Sequence, residues 1–86
     1  MIKIDHNCRT VIVDGVTIHP TATEFNLICF LAKHPGYKRS RVQIMDHLGI
    51  GEDSADVAVD SHVKRIRARG IRAIKTAYCV GYYWEE

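Results

Sequence analysis

Residues 61–84 hold half of the chain's Lys and Arg side chains, which could contact a negatively charged ligand, in little more than a quarter of its length. They include six Lys and Arg and no Asp or Glu, which gives a formal charge of +6. The preceding sixty residues carry six basic and eight acidic side chains, a formal charge of −2, and the chain ends on two glutamates. A concentrated positive charge is typical of a surface that binds a polyanion, but a solvated basic face has the same composition.

Helical spacing separates the charged side chains of this segment from its apolar ones. A helix is predicted over residues 54–69, and at about 100° per residue Val59, Val63 and Ile66 fall on one line that should face the core. Asp60 is expected to pair with Lys64 one turn later. The side turned away from the core carries Val57, Ser61, Lys64, Arg65 and Ala68. This placement favours the polyanion-binding interpretation.

Short strands are predicted at both ends of the chain. Residues 1–19 contain two or three strands, with a hairpin at Asp14-Gly15, because glycine tolerates the positive φ of a type I′ turn. Residues 72–84 form a second hairpin, with strands over 72–76 and 80–84 and a tight turn around residues 77–79.

Two further helices precede the basic one. A helix over residues 21–34 begins with a capping box, Thr21 followed by Glu24, and a helix over residues 40–48 begins with another. The second box is formed by Ser40 and Gln43. The second and third helices, joined by a short loop, have helix-turn-helix organisation.

The order of these elements predicts one α+β winged-helix domain over residues 1–86. It comprises a short N-terminal antiparallel sheet, three helices with a helix-turn-helix, and a C-terminal β-hairpin wing. A helix-turn-helix sets its second helix in the major groove of DNA. A hairpin that carries Arg72 and Lys75 would reach the backbone or the adjacent minor groove, so double-stranded DNA is the expected partner.

The chain also resembles, over nearly all of its length, the OmpR/PhoB-type DNA-binding domain of response regulators. Thr21–Phe25 resembles the Thr-Pro-Thr-Glu-Phe that opens the family's first helix, with Ala22 in place of proline. His34-Pro35-Gly36 and then Ser40-Arg41 match the first turn and the start of the second helix. Val59–Arg67 resembles the recognition-helix pattern Val-Asp-Val-His-Ile-Arg-Arg-Leu-Arg, and residues 74–76 with 80–82 match the wing.

This resemblance implies sequence-specific binding of duplex DNA and control of transcription, as a homodimer on direct repeats and with a possible contact to RNA polymerase. The resemblance, the helical spacing of residues 54–69 and the basic hairpin together predict a set of DNA-binding residues. They are Arg41, Val57, Ser61, His62, Lys64, Arg65, Arg67, Arg69, Arg72, Lys75, Thr76, Tyr78 and Tyr82. His62 borders the core and is expected to be structural or to contact the backbone, and Arg67 is expected to contact phosphate. The 86 residues include no receiver domain, so a stand-alone regulator is expected.

The wing tip differs from the family pattern and leaves an alternative open. Tyr78 and Cys79 stand where the family usually carries Arg-Gly, which removes the charged side chain that enters the minor groove. The alternative function is therefore a winged-helix interaction module that binds RNA polymerase or another regulator. No nucleophile–base pair, carboxylate dyad or glycine-rich phosphate loop is present, so an enzyme is not expected.

Metal, cofactor and membrane binding are not expected either. The three cysteines, Cys8, Cys29 and Cys79, form no C-x-x-C pair, and no two histidines lie four residues apart on one helix. No apolar run has membrane-spanning length and no signal peptide opens the chain, so the expected location is the cytoplasm.

Overall fold

The computed structural model describes residues 2–49 and 55–86, with side chains described from residue 59 onward in the second range. Strands β1 (Ile2–Asp5), β2 (Thr10–Val13) and β3 (Val16–Ile18) form an antiparallel sheet in the order β1-β2-β3. The predicted hairpin at Asp14-Gly15 is confirmed: φ is 49° at Asp14 and 84° at Gly15, as a type I′ turn requires.

Three helices follow, α1 (Ala22–Ala32), α2 (Arg41–Leu48) and α3 (Ala55–Ala68). Both predicted capping boxes are confirmed, with the side chain and backbone of each pair exchanging hydrogen bonds of 2.9–3.2 Å. Helix α1 ends two residues before the predicted position 34, and α2 ends where Gly49 adopts φ 72°.

A second antiparallel sheet joins the helices to the wing. Strands β4 (Arg39–Ser40), β5 (Ile74–Ala77) and β6 (Gly81–Trp84) are arranged in the order β4-β6-β5. The predicted strands 72–76 and 80–84 therefore begin too early, and the turn lies at residues 78–80. Strand β4 was not predicted.

The two-residue strand β4 lies so close to β6 that only glycine fits at position 81. A Cβ atom at Gly81 would lie 2.0 Å from the carbonyl oxygen of Arg39. This close approach allows β4 and β6 to pair. Because β4 directly precedes α2, the pairing holds the first residues of α2 next to the wing.

The core lies between the three helices and the inner sides of both sheets. The predicted core line of α3 is confirmed, because Val59, Val63 and Ile66 are at most 1% exposed. Helix α1 contributes Leu27, Ile28 and Leu31 to the same core; Ile71, Ile74 and Trp84 close it from the wing side. The α+β winged-helix fold is confirmed. No helix in the described part of the chain has the length and apolar character needed to cross a membrane.

Candidate nucleic-acid interface

Helix α3 turns its charged side away from the core. Lys64 and Arg65 are exposed, and neither forms an ion pair with any described residue. Ser61 is half-buried one turn before Arg65. The buried line of α3 fixes this orientation, because turning the helix to hide the charges would expose three core side chains. The side chain of Val57, also predicted at this surface, lies outside the described residues.

His62 lies at the border between this surface and the core. It is half-buried, and its Nδ1 atom is buried without a hydrogen-bond partner in the described structure. Burial, followed by the nearby positive charge of Arg65, lowers the pKa of His62 below its usual 6.5. The imidazole is therefore neutral at pH 7 and adds no charge to the surface.

Asp60 joins three elements beneath the exposed charges. Its Oδ1 atom accepts a hydrogen bond from the Tyr82 hydroxyl at 2.5 Å and one from Arg41 Nε at 3.0 Å. The bond from Tyr82, with the smaller effect of Arg41, lowers the pKa of Asp60. The prediction that Asp60 pairs with Lys64 is thus replaced by contacts to residues 19 and 22 positions away.

These contacts limit what two predicted site residues can do. Tyr82 is only 5% exposed, and its ring lies under the Arg41 guanidinium at 5.4 Å. Both residues therefore hold the start of α2, the middle of α3 and strand β6 together. Arg41 remains half-exposed beside Asp60, so part of its charge is compensated within the domain.

Arg67 connects α3 to the wing. Its Nε and Nη2 atoms donate to the carbonyl of Ile74 at 3.2 and 3.0 Å, and Nη2 also donates to Thr76 Oγ1 at 2.9 Å. The acceptors are neutral, so Arg67 keeps its positive charge in the field of this surface while its position is fixed. Thr76, predicted as a contact, is exposed next to it.

Arg69 is exposed but forms an ion pair with a buried carboxylate. Its Nε atom donates to Glu24 Oε1 at 2.9 Å, and Glu24 is fully buried. The same oxygen accepts the Thr21 amide hydrogen of the first capping box. Arg69, predicted to bind DNA, thus also ties the end of α3 to the start of α1.

The basic residues at the start of the hairpin lie in a different place from the charges of α3. Arg72 and Lys75 line a groove of about 310 Å³ together with Ile2 and Val13 of the N-terminal sheet and the terminal glutamates Glu85 and Glu86. The hairpin turn, in contrast, projects freely. Tyr78 at its tip is 91% exposed, and Cys79 beside it adopts φ 61°.

The structure therefore divides the predicted site. Ser61, Lys64 and Arg65 share one exposed face, flanked by Arg41 and Arg67. Sequence reasoning missed the partners of Asp60 and Glu24, because those partners are 19–45 residues distant and leave no local signal. Among the described residues, no three His, Cys, Asp or Glu side chains converge as metal ligands would.

A helix-turn-helix with its exposed positive charge on the second helix, followed by a β-hairpin, defines a winged-helix domain of the nucleic-acid-binding class. Comparison with known proteins makes this more specific. The chain belongs to the family described as "Transcriptional regulatory protein, C terminal", whose model matches residues 15–84. The predicted resemblance to OmpR/PhoB-type domains is confirmed.

Individual relatives agree with this family. The chain is 33% identical to the transcriptional regulatory protein ResD of Bacillus subtilis and 32% identical to SrrA of Staphylococcus aureus, over 98% of its own length and 38% of theirs. It thus spans about two-fifths of these relatives. Their names describe whole regulators, of which this chain matches one part.

Solved structures of similar domains have the same fold. The DNA-binding domain of Bacillus subtilis CssR superposes with a TM-score of 0.86 at 26% identity, covering 98% of this chain and 99% of that one. The Klebsiella pneumoniae RstA DNA-binding domain, solved in complex with the RstA box, has a TM-score of 0.84 at 27% identity. The match covers 98% of this chain and 90% of the RstA chain.

Proposed function

We propose that this domain binds double-stranded DNA in a sequence-specific manner and regulates transcription. The observation that carries the proposal is the exposure of Lys64 and Arg65 on the second helix of the helix-turn-helix, opposite its buried line. The major groove admits one α-helix, and side chains on its outer face reach base edges and phosphates. The RstA domain, a structural neighbour, was solved with its DNA box, which supports the same use of the fold here.

The residues of this surface have different roles in the proposal. Lys64 and Arg65 contact bases or phosphates, and the small side chain of Ser61 lets the helix approach the groove closely. Arg67 and Arg41, each held by contacts within the domain, contact phosphates at the edges of the surface. His62, Thr76 and Tyr82 fix the orientation of α3 and the wing rather than specify bases.

The wing tip contacts the DNA backbone through Tyr78, a side chain that has no formal charge. Tyr78 stands on the hairpin turn with 91% of its surface exposed, so its ring is free to pack on a sugar and its hydroxyl to bond a phosphate. The wing therefore contributes to affinity, and sequence discrimination is assigned to α3.

The test begins with selection of bound sites from a random duplex library. On the enriched site, Lys64→Ala and Arg65→Ala should each weaken binding by about tenfold in fluorescence anisotropy, because one specific contact contributes roughly 1–3 kcal/mol. Lys3→Ala, which removes an exposed charge from β1, serves as the matched control and should leave the affinity within about twofold.

Two results would contradict the proposal. One is the absence of any enriched sequence after selection. The other is equal affinity of Arg65→Ala and the unaltered domain on the enriched site. Circular dichroism of each variant separates loss of contact from loss of fold, since both side chains are exposed and their removal should not unfold the domain.

The finer parts of the proposal concern assembly, partners and location. Selected sites should contain direct repeats bound by two copies, as the family resemblance implies, and cytoplasmic DNA is the ligand. The proposal includes no catalytic step. Contact with RNA polymerase is tested by adding polymerase to the domain–DNA complex and measuring cooperative binding.

A second function, binding of another regulator or polymerase without DNA, is favoured by one observation. The wing tip presents Tyr78 and Val80, which are 91% and 44% exposed and lie two residues apart in the same turn. Loss of partner binding in Tyr78→Ser, with no DNA shift for the unaltered domain, would support this function over the first.

A further inference from the structure

A second basic surface lies outside the proposed DNA interface. It is an open groove of about 300 Å³ between the ends of α1 and α2. Its lining residues are Cys29, Phe30, Lys33, His34, Arg39 and His47. They belong to α1, the turn after it, β4 and α2, and none belongs to α3 or the wing. Four of the six are Lys, Arg or His, and no carboxylate lines the groove.

Aromatic rings hold the central arginine of this groove in place. The Arg39 guanidinium lies 4.2 Å from the centroid of the Tyr37 ring and 4.8 Å from that of Phe30. The Phe30 ring also stacks on the His47 ring, with centroids 4.2 Å apart and an interplanar angle of 15°. An arginine fixed in this way loses little side-chain freedom when it binds a ligand.

The side chain of Arg39 forms no hydrogen bond with any described residue. Its Nε atom is buried without a hydrogen-bond partner, and a buried donor without an acceptor is costly. Arg41 and Arg69 each have a carboxylate partner, whereas neither Lys33 nor Arg39 forms an ion pair with any described residue. An acceptor on another molecule would satisfy donors that the described residues leave open.

The local sequence points to a negatively charged ligand. Residues 33–45 include four Lys and Arg side chains and no Asp or Glu. The rim of the groove continues to Tyr37, which is 56% exposed, and to the exposed Lys38. Tyr and Arg side chains, here the exposed Tyr37 and the half-buried Arg39, are enriched in protein–protein hot spots.

We propose that this groove binds an acidic segment of a partner protein, with one carboxylate of that segment on the Arg39 guanidinium and a second near Lys33. Arginine accepts a carboxylate through two parallel hydrogen bonds, and the neighbouring positive charges favour a segment with several carboxylates. The open form of the groove and its exposed rim suit an extended chain. Duplex DNA is disfavoured as the occupant because the residues of the groove belong to elements other than α3. The exposed charges proposed to bind DNA are on α3.

The test uses the complete 86-residue chain labelled with ¹⁵N and a short Glu-rich peptide as the probe. The backbone amides of residues 33, 34, 36–39 and 47, and the side-chain Nε–H of Arg39, should shift and saturate with this peptide. The same peptide with Gln in place of Glu should shift neither. Lys33→Glu and Arg39→Met should each weaken binding of the Glu peptide by about tenfold, the effect of one lost charge-assisted hydrogen bond.

Control variants distinguish binding of the peptide in the groove from a general effect of the net charge. Lys3→Glu makes the same charge change as Lys33→Glu on the exposed side of β1 and should leave peptide affinity within about twofold. Arg39→Met keeps an unbranched side chain between the two rings. If it fails to fold, Lys33→Glu decides the question alone, because Lys33 is exposed.

Three outcomes would overturn the inference: unchanged peptide affinity in Lys33→Glu, peptide-induced shifts centred on residues 61–67, or a loss of DNA affinity in the groove variants as large as in Lys64→Ala. The expected DNA affinity of Lys33→Glu is that of Lys3→Glu. Failure of the DNA-binding proposal would appear separately, as absence of DNA binding by the unaltered domain while the peptide titration still saturates.

Discussion

At the scale of single residues, buried partners decide which basic side chains are available to a ligand. Glu24 is fully buried, its Oε1 atom receives Arg69 Nε and the Thr21 amide, and its Oε2 atom has no hydrogen-bond partner in the described structure. A carboxylate buried in this way depends on its cation. Arg69 therefore contributes to stability through its ion pair with Glu24.

Arg69→Ala should lower the free energy of unfolding by about 2 kcal/mol, because a hydrogen bond to a buried charge is lost and Glu24 is left with one donor. Urea denaturation measures this change. Arg65→Ala, which removes an exposed arginine from the same helix, should change stability by less than about 0.5 kcal/mol. An Arg69→Ala domain that keeps its stability but binds the selected DNA more weakly would contradict this assignment.

The sequence predicted some single-residue features and missed others for a physical reason. The exposure of Lys64 and Arg65 follows from helical period alone, since it depends only on residues within two turns. The partners of Arg69 and Asp60 depend on how α1, α2 and β6 pack against α3. Their distance along the chain leaves no pattern that a single sequence could display.

At the scale of elements, Asp60 connects the start of α2, the middle of α3 and strand β6. Tyr82 donates to it from β6 and Arg41 donates to it from α2. The orientation of the helix-turn-helix relative to the wing thus depends on one carboxylate. Its pKa is lowered below the usual 3.8, first by the Tyr82 hydroxyl and then by Arg41.

The lowered pKa of Asp60 predicts a pH-dependent contribution to stability. The folded state binds this proton less tightly than the unfolded state, so the contribution is fully present above the usual carboxyl pKa. It is lost as pH falls through the lowered value. The difference in unfolding free energy between the unaltered domain and Asp60→Asn should therefore be largest above about pH 5 and shrink progressively below about pH 4.

Urea denaturation of both proteins across this pH range measures the effect. Comparison with Asp60→Asn is needed because Asp5 also has a lowered pKa, caused chiefly by the Cys8 amide, and contributes to the acid dependence of both proteins. A difference that stays constant from pH 7 to about pH 3 would show that Asp60 is not coupled to Tyr82 and Arg41 in solution.

Local and non-local elements differed in how well the sequence predicted them. Both capping boxes and the Asp14-Gly15 turn were predicted because each is complete within four residues. Strand β4 has only two residues and exists because β6 lies against it, so no periodicity marks it. The starts of the wing strands were placed too early for the same reason, since the pairing of β6 with β4 and of β5 with β6 sets them.

At the scale of the whole molecule, the positive charge of residues 61–84 is dispersed by folding. Lys64, Arg65 and Arg67 stay on the α3 face, and Arg69 is paired with Glu24. Arg72 and Lys75 line the groove that also contains the two terminal glutamates. A sequence-level count of six basic residues therefore overstates the charge presented to one ligand.

This distribution predicts the salt dependence of DNA binding. If all six basic residues neutralised phosphates, the slope of log affinity against log salt concentration would be about −5 per copy. With Arg69 paired and Arg72 and Lys75 turned to another groove, three or four cations including Arg41 remain, and the slope should be about −3. Anisotropy titrations over a range of KCl concentrations measure the slope, with copy number fixed by the stoichiometry on the selected site.

Lys64→Ala should make the slope shallower by about one unit, whereas Arg69→Ala should leave it unchanged at a temperature where that variant is folded. A flat slope would exclude phosphate contacts, and a slope near −5 would mean that Arg69, Arg72 and Lys75 also contact phosphates when DNA binds.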